Sequence, residues 1–150
     1  MIPLITSIIA ITLSAGTSLV YATIGEIYTE RSGILNLGIE GMMLMSAVTA
    51  FATAFHTGSL LLSILLAMLV GMVLALIHAF LSITMHANQV VSGLSITLFG
   101  TGFASFLGQR LGPESNGFNL SGMSAVKFTR LQIEGLGDIP LLGAVFNQDP

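Results

Sequence analysis

Long apolar stretches separated by short polar breaks set the pattern of this chain. The apolar runs cover about residues 2–24, 34–55, 59–85 and 89–107. Each is long enough to cross a hydrocarbon core of about 30 Å at the rise of an α-helix, which needs roughly 20 residues. None shows the period of two that a barrel strand requires, so helices are the predicted spanning form. The breaks are residues 25–33, then His56-Thr57-Gly58, then His86-Ala87-Asn88. Links this tight predict antiparallel neighbours. The predicted fold class is an all-α membrane protein, a polytopic bundle of about four transmembrane helices over residues 1–108.

Beyond the fourth run the pattern changes. Residues 108–140, GQRLGPESNGFNLSGMSAVKFTRLQIEGLGDIP, are rich in Gly, Ser and Asn and carry Arg110, Lys127 and Arg130. An extramembrane loop is expected over 109–140. Residues 141–150 turn apolar again and read as the start of a further span, so the chain reads as a fragment or truncated product. At the other end, the first run lacks a basic n-region and a small-residue cleavage site, which marks a retained span and not a secretory signal.

Composition sharpens the class. Hydrophobic residues make up 53% and charged residues 7%, against roughly a quarter charged in a soluble domain, so no polar shell can be built. A net charge of −3 without any Lys/Arg run excludes nucleic acid as a partner class and leaves membrane lipid as the surrounding medium. The absence of cysteine removes disulfides, thiolate catalysis and Cys-based metal sites. No GxxxxGK[ST] loop is present, so ATP hydrolysis is not expected of this chain itself. His56, His78 and His86 lack the spacing of a zinc or nucleophile site. Neither a cofactor nor a metal is expected, and the chain does not read as an enzyme. His56 and His86 read as interfacial loop residues. His78 lies within the third run and is expected to hydrogen-bond a neighbouring helix, with a proton relay as the alternative.

Lipid gives helices no hydrophobic reason to associate, so small residues mark the faces where backbones approach. Ala67, Gly71, Ala75 and Ala79 recur every four residues on the third run, and Gly100, Ala104 and Gly108 on the fourth. Ala10, Ser14, Ser18 and Ala22 form a similar stripe on the first. The fourth-run seam is expected to need a covering helix, with segments beyond Pro150 as the candidates.

Polar residues inside the apolar runs are the candidate chemistry. Glu40 costs a few kcal/mol at a span centre, on the order of 2.5–3.5 for an acidic group, and less near an edge. It should face the bundle interior or a wet cavity. Asn36 lies one turn earlier at i−4, is expected on the same helix face, and can donate to it. Glu40 is a candidate for the substrate path or for gating, against the alternative of a hydrated interfacial residue that braces a helix. Asn88, Gln89, Ser92 and Ser95 form a second polar entrance at the start of the fourth run, for which an N-cap arrangement of Asn88 is the competing explanation.

Residues 21–45, YATIGEIYTERSGILNLGIEGMMLM, resemble the first-loop and second-span region of ABC-importer permeases for nucleosides and simple sugars, a ribose-type family akin to branched-chain amino acid permeases. A pattern G-E-hydrophobic-x-x-E-R-x-G-hydrophobic-x-N-hydrophobic-G-x-E-G-M-M is characteristic there. Residues 87–103, ANQVVSGLSITLFGTGF, are similar to the fourth-span block of that family, and the ending IPLLGAVFNQDP is similar to the lead into its next span. The resemblance covers most of residues 18–111. It implies the N-terminal half of a permease subunit in the bacterial cytoplasmic (inner) membrane, multi-pass. The implied partners are an ATP-binding cassette ATPase subunit, a second permease subunit and an extracytoplasmic substrate-binding protein. Nucleosides are the implied cargo, with simple sugars next. Arg31 and Arg110 sit near span ends on opposite sides, so the positive-inside rule gives no orientation. The family topology puts residues 25–33 and 86–88 in the cytoplasm and the tail from Gln109 outside. A self-contained secondary transporter or channel, with Glu40 as the coupling carboxylate, is the alternative of a different class. A non-transporting membrane scaffold is a third.

Overall fold

The structure is a computed structural model that describes residues 2–110, with the side chains at positions 2, 3, 6, 10, 14, 109 and 110 excepted. The loop expected at 109–140 and the span expected at 141–150 therefore fall, from 111 onward, outside the described residues. The described residues 2–25 and 26–110 belong to two different compact units.

Helix α1 runs over Ile2–Arg31. It continues past Ile24, where the apolar pattern placed the end of the first run, so most of the loop expected at 25–33 is helical as far as Arg31. Threonines along it spend their hydroxyls inside the helix: Thr12 donates to Ile8 O at 2.8 Å, Thr17 to Leu13 O at 2.7 Å and Thr23 to Leu19 O at 2.8 Å. This removes bare hydroxyls from a surface that also displays Leu4, Ile8, Ile11, Leu19 and Val20, a face suited to lipid. Of the stripe read on this helix, Ser18 is exposed and Ala22 half-buried, while Ala10 and Ser14 lie outside the described side chains.

In the second unit, α2 (Ile39–Thr57), α3 (Leu60–Ala79) and α4 (Gln89–Arg110) pack together, α2 against both α3 and α4. Gly58 ends α2 in the left-handed conformation, φ 65°, and donates to Ala54 O at 2.9 Å, a turn that glycine makes without Cβ strain. Ser59 then caps α3, its hydroxyl accepting from Leu62 N. α3 passes into a π-helical turn, Phe80–Thr84. Asn88 opens α4 with Oδ1 accepting from Val90 N at 3.0 Å and Val91 N at 3.2 Å, the side-chain cap that the start of the fourth run offered. Among the described residues, four helices are long and apolar enough to cross a membrane: Ser7–Arg31, Ile39–Thr57, Leu60–Thr84 and Gln89–Gly108.

The core is small. Met42, Leu74 and Ile96 meet, flanked by Met45 and Val70. Close backbone approach takes over where α2 crosses α4. A Cβ on Gly41 would lie 2.5 Å from Ile96 O and 2.6 Å from Thr97 Cα, and one on Gly100 would lie 2.5 Å from Gly41 O. Gly93 would meet Leu37 N at 2.8 Å. Glycine is required here because helix backbones touch. The seam expectation is thus corrected in part. Gly100 meets α2 and Ala104 is buried, so α2 itself covers Gly100 and no later segment is needed for that position. Gly108 has open space around it. On α3, Gly71 faces Ser46, Ala67 is half-buried and Ala75 is exposed. Four-residue spacing alone does not say which neighbour, if any, a stripe meets.

Candidate functional site

Helix α2 does not begin at Ile34. Residues 32–38 form an irregular strap between α1 and α2, and the reasons are local. Gly33 takes φ 84°, and Asn36 folds its own Oδ1 onto Gly38 N at 3.0 Å. Such a side-chain bond competes with helix formation. The expected pairing of Asn36 with Glu40 is therefore not formed: at position 36 there is no helix to set the i, i+4 spacing. The Asn36 amide instead points to Met42 Sδ at 3.8 Å, and Glu40 stands exposed in the first turn of α2.

The strap's backbone cannot satisfy itself as a helix does, and polar groups left unpaired in an apolar environment cost several kcal/mol, on the order of 2–7 by transfer scales. Side chains from three helices meet the need. From the end of α1, Glu26 Oε1 accepts from Asn36 N at 3.0 Å while its Oε2 takes the Thr29 hydroxyl at 3.1 Å. From α4, Gln89 accepts from Leu35 N at 2.7 Å through Oε1 and donates to Gly33 O at 3.3 Å through Nε2. Thr97, two turns on, donates to Leu37 O at 2.7 Å. From α3, the His78 ring reaches Leu35 O at 3.2 Å with Nε2 and Ser92 Oγ of α4 at 3.0 Å with Nδ1. The helix–helix hydrogen bond expected of His78 is present.

Three of the candidate site residues are thus structural partners of the strap or its braces: Asn36, Gln89 and Ser92. Asn88 is exposed and caps α4. Ser95 is exposed, and its hydroxyl is returned to Val91 O at 2.7 Å. Glu40 is exposed one turn above the strap, at the positive end of α2, where a carboxylate is favoured by about 0.3–1 kcal/mol. The braces Glu26 and Thr97 were missed by the sequence reading. Glu26 stands in the charged stretch read as a loop, and its partner lies 10 residues away, while Thr97 bonds a carbonyl 60 residues away. Only the presence of a carboxylate just before the glycine-bounded segment signals the first, and nothing in the sequence signals the second.

Just beyond His78, Ser82 lies in the π-turn with its hydroxyl buried and unpaired. Among the described residues no group of three or more His, Cys, Asp or Glu is arranged to hold a metal.

The strap and the glycine seam are built by the two blocks that resemble importer permeases, and comparison with known proteins agrees. The chain is 40% identical over 137 residues to the putative glucose ABC transporter permease protein TsgC13 of Haloferax volcanii, covering 90% of this chain and 40% of that protein. It is 32% identical to the guanosine ABC transporter permease protein NupQ of Bacillus subtilis over 99% of this chain and 47% of the relative. To the nucleoside ABC transporter permease protein NupC of Lactococcus lactis it is 30% identical, over 93% of this chain and 44% of that one. The chain spans less than half the length of each of these relatives. No solved structure gives a match. Residues 8–142 match the family described as branched-chain amino acid transport system / permease component, and with nine-tenths of its length inside that match this chain belongs to that family of integral membrane transport permeases.

Proposed function

We propose that the chain is the N-terminal part of the permease subunit of an ATP-binding cassette importer for nucleosides or simple sugars, and that the strap with the start of α2 forms one wall of the translocation path. The carrying observation is the strap itself. It joins two helices apolar enough to cross a membrane, Ser7–Arg31 and Ile39–Thr57, and side chains of three helices bury its irregular backbone in protein, an arrangement tolerated next to an apolar medium and often found beside cargo in membrane transporters. Here the strap's polar groups are taken by Glu26, His78, Gln89 and Thr97, while Glu40 alone of the intramembrane candidates on α2 stays exposed. A carboxylate is acceptor-only, and sugars and nucleosides both present hydroxyl donors. Its bond to such a hydroxyl is charge-assisted and about twice as strong as a neutral one.

Two of the three relatives are named for nucleosides and one for glucose, which supports a hydroxyl-rich neutral cargo. ATP binding by a separate ATPase subunit would stabilise one of two alternating conformations, with a second permease subunit closing the path and an extracytoplasmic binding protein delivering cargo. Family membership favours this over a self-contained carrier with Glu40 as coupling group. The test is uptake of labelled guanosine and glucose by the full-length permease assembled with its ATPase and binding protein. Glu40→Gln should lower uptake at least severalfold with membrane insertion unchanged. Unchanged uptake kinetics would remove Glu40 from the path, and proton-driven flux without ATP would replace the importer reading by the carrier.

A further inference from the structure

We propose that His78 is the positioning residue of this site: through an Nε2–H donor it holds the strap at Leu35 against α4, so that the strap's place is set by α3. The proposal rests on the strap being part of the path, and it goes further in naming what fixes the strap there.

The chemistry of the two partners determines how the ring is used. Leu35 O is a carbonyl and only accepts, so Nε2, 3.2 Å away, carries the proton of that bond. A neutral imidazole has a single N–H, so Nδ1 then accepts, and the Ser92 hydroxyl at 3.0 Å donates to it. The hydrogen bond on one ring nitrogen sets the tautomer at the other. With only 3% of His78 exposed, water is no substitute for either partner.

His78 is also the strap's one brace from α3 among the described residues, since Glu26 belongs to α1 and Gln89 and Thr97 to α4. The braces meet Leu35 from both sides. Gln89 accepts from its N–H and Glu26 from the N–H of Asn36, whereas His78 donates to the Leu35 carbonyl. Leu35 is therefore held from α4 on its N–H side and from α3 on its C=O side. Removing the His78 donor frees the C=O side, so the N–H bonds of Leu35 to Gln89 and of Asn36 to Glu26 open more often.

Two replacements separate the bonds. A Gln side chain extends to the level of the imidazole Nε2 and supplies an N–H donor there. An Asn side chain stops at the level of Nδ1, reaching Ser92 but not Leu35 O. Amide hydrogen exchange of the full-length permease in lipid nanodiscs reads the strap directly through Leu35 N–H and Asn36 N–H. His78→Asn should speed exchange at those two amides by about fivefold or more, the ratio that one net hydrogen bond supports, with α2 and α4 unchanged. His78→Gln should bring both back to within about twofold of the parent, and ¹⁵N-histidine spectra of the parent should show a protonated Nε2 and a bare Nδ1.

A bare Nε2 in the parent overturns the proposal without any variant being made. So does parent-like exchange in His78→Asn, failure of His78→Gln to restore it, or acceleration spread over α2–α4, which would make His78 a general packing residue. None of these readouts uses transport, so their failure leaves the importer reading standing, and loss of that reading through the uptake assay leaves them intact.

Discussion

Replacing Gly41 or Gly100 by alanine adds a single methyl group where two helix backbones touch. At Gly100 the new Cβ would sit 2.5 Å from Gly41 O and 2.7 Å from Gly41 Cα, and at Gly41 it would sit 2.5 Å from Ile96 O and 2.6 Å from Thr97 Cα. Ordinary contact begins at 3.4 Å, so about 0.9 Å must be found by moving α2 from α4. The atoms in the way are backbone, which has no rotamer to yield. Overpacking of this kind costs about 1–3 kcal/mol. At tenfold per 1.4 kcal/mol, that multiplies the unfolding equilibrium constant by roughly 5–150.

The control lies on the same helix. Gly102 has nothing within 4 Å, so Gly102→Ala should gain about 0.5–1 kcal/mol from lower backbone entropy. Two glycines two residues apart should thus give opposite signs. Reversible unfolding in lipid bicelles measures both, and Gly41→Ala/Gly100→Ala should cost less than the sum of the single variants, because either one alone already opens the shared gap. Equal effects at Gly100 and Gly102, or strict additivity of the pair, would refute the crossing as described.

Among the braces, Gln89→Leu strips partners from Leu35 N and Gly33 O together and should destabilise by about 1–3 kcal/mol, more than Thr97→Val, which frees only Leu37 O and should cost about 0.5–1.5; the reverse order in the same unfolding assay would contradict the strap's bonding. Ser82→Ala removes a buried hydroxyl with no partner and should be neutral or stabilising by up to about 1 kcal/mol, whereas a loss of stability would mean that the hydroxyl is bonded. Because the chain has no cysteine, a single Cys at Ser59 or at Glu30 reports its side of the membrane to an impermeant thiol reagent. Labelling of Ser59→Cys but not Glu30→Cys in intact cells is expected, and the opposite pattern would invert the proposed orientation.

Hydropathy made the helices legible but hid the strap. Ile34, Leu35, Leu37 and Ile39 make residues 34–39 read as the start of the apolar run, and burial in protein selects apolar side chains on irregular backbone as it does on a helix. The local signals were Gly33 and the Asn36-Leu37-Gly38 triplet, both turn-forming. Reading through them as helix placed Asn36 beneath Glu40. The seam on α4 was legible as a stripe because close approach demands small residues at one-turn spacing. Its partner was not, because Gly38 and Gly41 lie three apart and extend into no longer stripe of small residues. The braces were the hardest to see. His78, Gln89 and Thr97 bond carbonyls or amides 43 to 60 residues away, and no periodicity links a side chain to a backbone group at that distance.

The strap changes what a polar residue in a membrane segment stands for. Taken singly, Asn36, Gln89, Ser92 and Glu40 are each costly enough to invite a functional assignment. Once the backbone is followed atom by atom, Asn36 is committed to Gly38 N and Met42 Sδ, Gln89 to Gly33 O and Leu35 N, and Ser92 to His78. Asn36 and Gln89 satisfy peptide groups that a helix over 32–38 would have satisfied internally, and Ser92 satisfies the ring that braces the strap. Glu40 differs because it is exposed and because the helix start it sits on has only Gly38 at its cap, with no side chain to complete it. Asn36, Gln89 and Ser92 spend hydrogen bonds on the strap and its braces, and Glu40 remains the group on α2 whose charge the strap does not use.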